Sequence, residues 1–177
     1  QDQKQICSMT GDGVNDAPIG QIDSFSLLED QAIAVEDILL ANDTDIDQGD
    51  KRSIKDVSGL TGQAPDGTTK SYSDVIKLTN GQVSFNAAGK FDYLNQGENF
   101  KGDFSYVAGD LFGASTDRTN VSVTINGIND TPILKDLANL KINEGGSTVS
   151  IAIADAASDA DQGDILRFDE MANKAAF

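Results

Sequence analysis

The chain contains 177 residues, of which 38% are hydrophobic, and it carries a formal net charge of −16. Nucleic acid is not an expected partner, nor is an anionic membrane, because binding phosphate groups requires clustered lysine and arginine. The sequence has no histidine and only one cysteine, which excludes histidine bases, histidine-containing zinc sites and an internal disulfide.

The sequence contains an internal repeat. The hexapeptide Gly13–Pro18 (GVNDAP) recurs as Gly127–Pro132 (GINDTP), and Asp45–Asp50 (DIDQGD) recurs as Asp159–Asp164 (DADQGD). Both recurrences lie 114 positions after the first copy, and two matches at one offset indicate a tandem repeat. We therefore expect a piece of a longer protein that holds the end of one repeat, a complete repeat and the truncated start of the next, at residues 1–12, 13–130 and 131–177.

The segments on either side of the first acidic hexapeptide predict strands. Gln1–Gly11 is expected to be the last strand of the preceding repeat. Ile22–Leu40 indicates two strands around an acidic corner; Ala32–Leu40 also has helical propensity, but the flanking turns favour a strand. Further on, Arg52–Val57 predicts another strand, and the glycine, serine and threonine content of Ser58–Thr69 indicates a loop.

The clearest strand pattern lies between Tyr72 and Tyr106. Asn80-Gly81 is the strongest short signal for a β-hairpin, and apolar residues alternate on both sides of it. The alternation continues through Phe91–Tyr93, and Val121–Ile125 closes the repeat. Short alternating strands separated by turns every eight to twelve residues predict an all-β, antiparallel Greek-key sandwich.

The start of the next repeat follows from Ile133. The alternating Val149, Ile151 and Ile153 predict a strand, and Asp169–Phe177 predicts a short helix. No apolar run in the sequence approaches the roughly 20 residues of a membrane-spanning helix, so membrane insertion is not expected.

Four motifs carry a family resemblance. They are Leu39–Asp47 (LLANDTDID), Gly89–Tyr93 (GKFDY), Asp103–Tyr106 (DFSY) and Val121–Pro132 (VSVTINGINDTP). In this order they resemble the cadherin-like (bacterial Ig-like) tandem repeats of giant RTX adhesins, which bacteria export by type I secretion. The resemblance implies a cadherin/Ig-like sandwich that is secreted to the bacterial cell surface, works in cell adhesion and biofilm formation, and has neighbouring repeats of the same chain as its partners.

The resemblance also implies Ca²⁺ at the junctions between successive repeats. Calcium takes six to eight oxygen ligands, and crowded carboxylates repel one another unless a cation neutralises them. Side chains two apart in extended chain point the same way, so alternating aspartates can face one ion. Glycine occupies the first acidic position of the cadherin linker at Gly13 and Gly127, which implies one or two ions per junction rather than three.

The candidate calcium ligands fall into two sets of acidic and amide side chains. In the complete repeat they are Asn15, Asp16, Glu29, Asp30, Asp43, Asp45 and Asp47; at the second junction they are Asn129, Asp130, Glu144, Asp159 and Asp161. Asp103 and Asp110 could add oxygen ligands from loops, although a plain turn role is favoured for both. The simpler alternative for all of these residues is a set of solvated acidic turns, which the repetition at a fixed offset argues against.

Two other functions are open at the level of sequence. The long Ser58–Thr69 segment would suit a calcium-dependent module that grips a cell-surface peptide or glycan. Catalysis is disfavoured, because the adjacent carboxylates Glu29-Asp30 and Glu36-Asp37 would point to opposite faces of a strand. The aromatic side chains between Tyr72 and Tyr106 alternate, which favours core packing over a sugar-stacking platform.

Overall fold

A computed structural model of the chain describes residues 14–47, 49–135, 145, 152 and 156–167. Several predictions lie outside these residues: the strand at Gln1–Gly11, the alternating Val149, Ile151 and Ile153, the candidate ligand Glu144, and the helix at Asp169–Phe177.

In the described residues of the predicted complete repeat, nine strands form the sandwich. In chain order they are β1 (Asp23–Leu28), β2 (Ala32–Ala34), β3 (Ser53–Val57), β4 (Leu60–Gln63), β5 (Thr69–Tyr72), β6 (Ile76–Thr79), β7 (Gln82–Asn86), β8 (Asn99–Gly109) and β9 (Thr119–Asn126). The larger sheet has the order β1-β9-β8-β4-β5, with β3 also paired to β8, and the smaller sheet has the order β2-β7-β6. The predicted all-β sandwich is confirmed.

The first and last strands of the repeat pair in parallel, whereas the other strand pairs of the two sheets are antiparallel. The register runs from Asp23 opposite Val121 to Leu28 opposite Asn126. The segment that enters β1 therefore lies at one end of the sandwich, and the residues that follow β1 and β9 lie together at the other end. A six-residue strand spans about 20 Å, which separates the two ends.

The aromatic side chains pack in the core, as predicted. Phe85 and Phe91 are fully buried. Phe25 contacts Phe85 edge-on, with ring centroids 5.6 Å apart, and Phe104 packs beside both at 6.3 Å. Because Phe25 and Phe104 belong to the larger sheet and Phe85 to the smaller one, these rings join the two layers.

The strand predicted over Ala32–Leu40 is wrong in its second half. Only β2 is extended, and Glu36–Leu40 forms the short helix α1. Glu36 and Asp37 occupy the first helical turn, where negative charge is favourable to the helix dipole. The turn points Leu39 into the core, where its side chain is fully buried.

The loop predicted at Ser58–Thr69 is also wrong, because the segment holds β4 and the start of β5. Gly62 explains why a glycine-containing stretch can be a central strand here. A Cβ atom at this position would lie 2.2 Å from the Lys101 carbonyl oxygen and 2.3 Å from Gly102 Cα, so only glycine lets β4 approach β8.

The predicted hairpin at Asn80-Gly81 is confirmed. It joins β6 to β7, with φ of 51° at Asn80 and 81° at Gly81, the left-handed pair that a type I′ turn requires. The predicted strand at Phe91–Tyr93 is wrong, because the chain between β7 and β8 makes turns. Phe91 is buried there from a turn, which reproduces the apolar spacing of a strand without its backbone.

The segment predicted to start the next repeat is described in part. Strand β10 (Ile133–Leu134) pairs antiparallel with β11 (Ala157–Ser158) directly before the second acidic hexapeptide. The Asn95 side-chain amide of the complete repeat donates a 3.1 Å hydrogen bond to the Gln162 carbonyl oxygen within that hexapeptide. The two predicted repeats therefore touch through the second acidic hexapeptide.

Candidate metal centres

Acidic side chains converge at the end of the sandwich where the chain enters β1. Carboxylate oxygens of Asp45, Asp50 and Asp110 all lie within 4.8 Å of one another. The Asn15 side-chain amide donates a 2.8 Å hydrogen bond to Asp110 Oδ2. We call Asn15, Asp45, Asp47, Asp50 and Asp110 the entrance cluster.

Backbone amides shape the acidic loop of the entrance cluster. The Asp16 amide donates to Asp47 Oδ2 at 2.8 Å, and the Asp47 amide donates to Asp45 Oδ1 at 2.9 Å. Ile19 and Thr44 exchange two backbone hydrogen bonds of 2.7 and 3.1 Å. The segment that enters the repeat is therefore hydrogen-bonded to the acidic loop at both Asp16 and Ile19.

The hydrogen bonds of the acidic loop recur at the opposite end of the sandwich, beside a second group of carboxylates. Carboxylate oxygens of Asp159, Asp161 and Asp164 lie within 4.8 Å of one another. The Asp130 amide donates to Asp161 Oδ2 at 2.8 Å, and the Asp161 amide donates to Asp159 Oδ1 at 3.1 Å. These are the hydrogen bonds of Asp16 and Asp47, repeated 114 positions later, so the two copies of the motif form the same local structure.

Glu29 belongs with this second group. Its side chain is fully buried, and its Oε1 accepts a 2.7 Å hydrogen bond from the Ile128 amide. Burial first, and then the charges of Asp130 and Asp161, raise the pKa of Glu29 to about 7, against the lowering effect of the Ile128 hydrogen bond. A buried carboxyl among like charges binds a proton, or a cation, more readily than one in water.

Asp130 and Asp92 also belong to this second group. The pKa of Asp130 is raised mainly by desolvation and also by the negative charges of Asp30, Asp161, Asp92 and Asp159. Asp92 was not among the predicted ligands; its signal was the GKFDY motif, in which a single aspartate gave no reason to prefer a ligand over a turn residue. We call Glu29, Asp92, Asp130, Asp159, Asp161 and Asp164 the exit cluster.

The grouping of Glu29 and Asp30 with the entrance residues is therefore wrong. Because β1 runs parallel to β9, the residues that follow β1 lie beside those that follow β9. The Glu29 amide accordingly donates a 3.1 Å hydrogen bond to the Asn126 carbonyl oxygen. Glu29 faces the linker to the next repeat, with Asp30 close enough for its charge to raise the pKa of both Glu29 and Asp130.

Both clusters contain buried oxygen atoms that receive no hydrogen bond. In the entrance cluster they are Asn15 Oδ1, Asp45 Oδ2, Asp47 Oδ1 and Asp50 Oδ2; in the exit cluster they are Glu29 Oε2, Asp92 Oδ1 and Asp161 Oδ1. Leaving a buried acceptor unpaired costs about 1–3 kcal/mol, and more for a charged group. The described ion pairs join Lys90 to Asp74 and Arg118 to Asp56, so these cations neutralise neither cluster.

The residues present fit a hard divalent cation. The unpaired oxygens all belong to carboxylate or amide groups, which suit Ca²⁺, and the chain has no histidine that would favour a softer metal. Asp47 is 3% exposed and Asp161 is 5% exposed, so each holds an unpartnered oxygen out of bulk water within its cluster. A bound cation would supply the missing partner of these oxygens.

A family model for the bacterial cadherin-like domain matches residues 15–127. The chain belongs to the bacterial cadherin-like domain family. The match covers more than half of the sequence and confirms the cadherin resemblance. A comparison with curated proteins finds no match. Cadherin-like domains are generally structural or adhesive rather than enzymatic, and they typically bind Ca²⁺. No helix in the described part of the chain has the length and apolar character needed to cross a membrane.

Two predicted ligands of this cadherin-like domain lie apart from the clusters. Asp43 is buried, and its oxygens accept hydrogen bonds from the Gln21 amide and the Tyr106 hydroxyl. Asp103 lies within β8 rather than in a loop, faces solvent and accepts a 2.7 Å hydrogen bond from Ser122 Oγ. The prediction that Asp43 would face one point with Asp45 and Asp47 is wrong, because the loop is not extended.

The remaining predictions divide between the clusters. Asn15, Asp45 and Asp47 lie in the entrance cluster, and Asp16 adjoins it through its amide. Asp110, for which a turn role was favoured, is both a turn residue and a member of the entrance cluster. Its Oδ1 accepts hydrogen bonds of 2.6–2.9 Å from the amides of residues 112–114, and its carboxylate lies beside the other cluster carboxylates. Burial would raise the pKa of Asp110, but the hydrogen bonds from Asn15 and from these amides outweigh it and hold the pKa low.

At the linker to the next repeat, Asp130, Asp159 and Asp161 are in the exit cluster. Asn129 is exposed, and its side-chain amide donates 2.7 Å to the Asp130 carbonyl oxygen. Its counterpart Asn15 instead reaches Asp110, so the two copies of the linker asparagine have different partners.

Proposed function

We propose that this cadherin-like repeat binds Ca²⁺ at its entrance and exit clusters, and that the ions stiffen the junctions between successive repeats of a secreted bacterial surface adhesin. The observation that carries the proposal is the set of buried, unpartnered oxygens that the residues of each cluster hold. Such oxygens destabilise the metal-free fold, and a calcium ion with its six to eight oxygen ligands removes that cost.

The exit cluster supports a role at a junction because its members come from three parts of the chain. Glu29 and Asp92 belong to the complete repeat, Asp130 to the linker, and Asp159 and Asp161 to the next repeat. An ion held by all three would tie the next repeat to the end of the sandwich. The direct hydrogen bond between Asn95 and Gln162 supports this role, since it joins the sandwich to the second acidic hexapeptide.

The entrance cluster supplies the complementary half of the preceding junction. It contains Asp45 and Asp47, whose counterparts at the fixed offset are Asp159 and Asp161 of the exit cluster, together with the linker residue Asn15. By the same logic, the preceding repeat would contribute a glutamate and an aspartate equivalent to Glu29 and Asp92. A row of such junctions makes a stiff rod suited to presenting a distal binding domain for cell adhesion.

Calcium supply fits a function outside the cell. Because the ion binds the folded arrangement only, it stabilises the repeat by mass action, and this stabilisation grows as calcium rises above the dissociation constant. Extracellular modules bind calcium with dissociation constants of about 0.1–1 mM. The junctions would be filled at the surface and empty in the cytosol, where an RTX adhesin awaits type I export.

The experiment is a thermal melt of the metal-free chain in millimolar CaCl₂, in MgCl₂ and in excess EDTA. We expect calcium to raise the midpoint by about 10 °C, since 1 kcal/mol moves the midpoint of a domain of this size by roughly 2–8 °C. Magnesium should act weakly, because it demands octahedral geometry and gives up its water reluctantly. Asp47→Asn and Asp161→Asn should each remove part of the calcium effect, whereas the matched Asp103→Asn on the exposed face of β8 should not.

Identical melting curves in the three solutions would contradict the proposal and leave the clusters as acidic turns. The alternative, a ligand-binding module for a peptide or glycan, has lost the feature that favoured it, because Ser58–Thr69 forms strands rather than a long loop. A glycan array in calcium separates the two functions: a rigid spacer gives no hits.

A further inference from the structure

One buried hydroxyl connects the core of the repeat to the entrance cluster. Tyr106 lies on β8, is fully buried, and places its hydroxyl 2.9 and 3.0 Å from the two oxygens of Asp43. The same hydroxyl lies 2.8 Å from the Leu39 carbonyl oxygen and 3.1 Å from Asp23 Oδ2. The hydroxyl donates its one proton to one of these oxygens at a time, and it lies where the end of α1, the start of β1 and the start of the acidic loop meet.

Asp43 completes the connection from the loop side. Its Oδ1 also accepts a 2.8 Å hydrogen bond from the Gln21 amide, so its carboxylate is held by the core and by the segment entering β1. Asp43 stands two residues before Asp45, whose carboxylate belongs to the entrance cluster. Fixing Asp43 fixes the direction in which the loop leaves α1, and with it the positions of Asp45 and Asp47.

We propose that Tyr106 and Asp43 are positioning residues for the entrance cluster, which hold the acidic loop in its calcium-binding shape before the ion arrives. This inference rests on the proposed calcium function. Its physical basis is that an ordered loop has less conformational entropy to lose on binding, so removing a group that orients a ligand loop weakens metal affinity. Neither residue needs to touch the ion.

The second copy of the motif provides an internal comparison. At the fixed offset of 114, Asp45 and Asp47 have Asp159 and Asp161 as counterparts, but Asp43 has Ala157. A ligand common to all junctions would be present in both copies. The connection to the core through Asp43 therefore belongs to the entrance cluster, and the exit cluster is a control within the same molecule.

The test measures calcium affinity at each cluster separately, by following backbone amide resonances in a calcium titration of the full chain. The amides of Asp16 and Asp47 report the entrance cluster, and those of Asp130 and Asp161 report the exit cluster, because each donates to a cluster carboxylate or lies within the loop. The variants are Tyr106→Phe, Asp43→Ala, their double variant and Asp43→Asn, with Tyr72→Phe as control. The Tyr72 hydroxyl contacts only the Tyr93 hydroxyl, at 3.5 Å, among its described hydrogen-bond partners.

We expect Tyr106→Phe and Asp43→Ala each to weaken the entrance cluster by about 10-fold, the low end for loss of a group that orients metal ligands. The double variant should lose no more than about twofold beyond either single change, since both break one connection. Asp43→Asn keeps an acceptor for Tyr106 and Gln21 and should retain most of the affinity. Affinity at the exit cluster should be unchanged in every variant, and Tyr72→Phe should match the unmodified chain at both clusters.

Three results would overturn the inference. Unchanged affinity at the entrance cluster in Tyr106→Phe overturns the positioning role and leaves the calcium proposal standing. An Asp43→Asn loss as large as that of Asp43→Ala makes Asp43 a ligand instead. An unmodified chain whose Asp16 and Asp47 amides ignore calcium overturns the proposed function, and the positioning role falls with it. If Tyr106→Phe does not fold in EDTA, the comparison of Asp43→Asn with Asp43→Ala decides.

Discussion

The Ile128 amide donates a 2.7 Å hydrogen bond to Glu29 Oε1, across 99 positions of sequence. This bond joins the end of the first strand of the repeat to the linker that leaves the last strand. It places a fully buried carboxylate, with its second oxygen unpaired, beside the aspartates of the next repeat. Glu29 therefore affects both the stability of the repeat and its proposed calcium binding. A neutral Glu29 side chain favours the stability of the metal-free repeat, whereas a charged one favours calcium binding.

Replacing Glu29 with glutamine should raise stability without calcium and lower the gain from calcium. Glutamine keeps an oxygen for the Ile128 amide but removes a buried charge that Asp130 and Asp161 repel. In EDTA above pH 7 we expect a gain of about 1–3 kcal/mol in the free energy of unfolding, since each unit of pKa shift is worth 1.36 kcal/mol. Urea unfolding with and without calcium measures both effects, with Glu36→Gln on α1 as the matched control. A Glu29→Gln variant that is less stable in EDTA and equally stabilised by calcium would contradict this.

The metal-free chain should lose stability as the pH rises from about 4.5 to about 7. The pKa of Glu29 is raised from 4.5 to about 7 by burial, so between these values the folded state holds a proton that the unfolded state has released. As the pH rises, stability falls wherever the folded state binds more protons than the unfolded state. For Glu29 the loss is complete once the pH exceeds the pKa of the folded state. Burial also raises the pKa values of Asp23 and Asp130, which act in the same direction. Calcium should reverse the trend, because the ion binds the ionised carboxylates; urea unfolding at pH 5, 6 and 7.5 with calcium or EDTA measures it. Rising stability in EDTA over this range would refute the burial of an ionisable Glu29.

Removing the ring of Phe85 should weaken the packing of the two sheets against each other. The side chain is fully buried between Phe25 and Phe104, and Phe→Ala changes in protein cores cost about 3–5 kcal/mol. The matched change Phe112→Ala should have an effect near zero, because Phe112 is 53% exposed. Chemical denaturation of both variants in calcium gives the comparison. Equal losses would show that Phe85 is not part of a shared core.

Gly62→Ala should disturb the pairing of β4 with β8. The added methyl group would meet the backbone at Lys101 and Gly102 at distances of 2.2 and 2.3 Å, and no flexible side chain can move to make room. Gly67→Ala is the control: its surroundings are open, and its φ of 81° should cost only about 1 kcal/mol. Amide hydrogen exchange along β4 reads out the pairing. Unchanged protection in Gly62→Ala would mean that the strands do not approach this closely.

The sequence allowed local features to be predicted better than distant pairings. The Asn80-Gly81 hairpin, the strand at Arg52–Val57 and the repeated acidic motif depend on neighbouring residues, and the structure agrees with them. The place of Glu29 depends on the parallel pairing of two strands about 100 residues apart, which no local pattern encodes.

Side-chain direction within the acidic loop was equally hidden. Asp43 and Asp45 look alike in the sequence, but the loop turns one towards Tyr106 and the other into the cluster. Asp92 was not predicted as a ligand, and a turn role was favoured for Asp110, because an isolated aspartate in a turn is common. Their value as cluster residues comes from what folding brings beside them. The short helix α1 was ambiguous because five residues hold little periodicity.

Calorimetric titration of the metal-free chain with CaCl₂ at pH 7.5 measures calcium binding at the two clusters without any intermediate readout. We expect saturable binding with a submillimolar dissociation constant, a stoichiometry of at least one ion per cluster, and loss of that binding in the Asp47→Asn/Asp161→Asn double variant. Heat of dilution alone, or the same isotherm for the unmodified chain and the double variant, would contradict it.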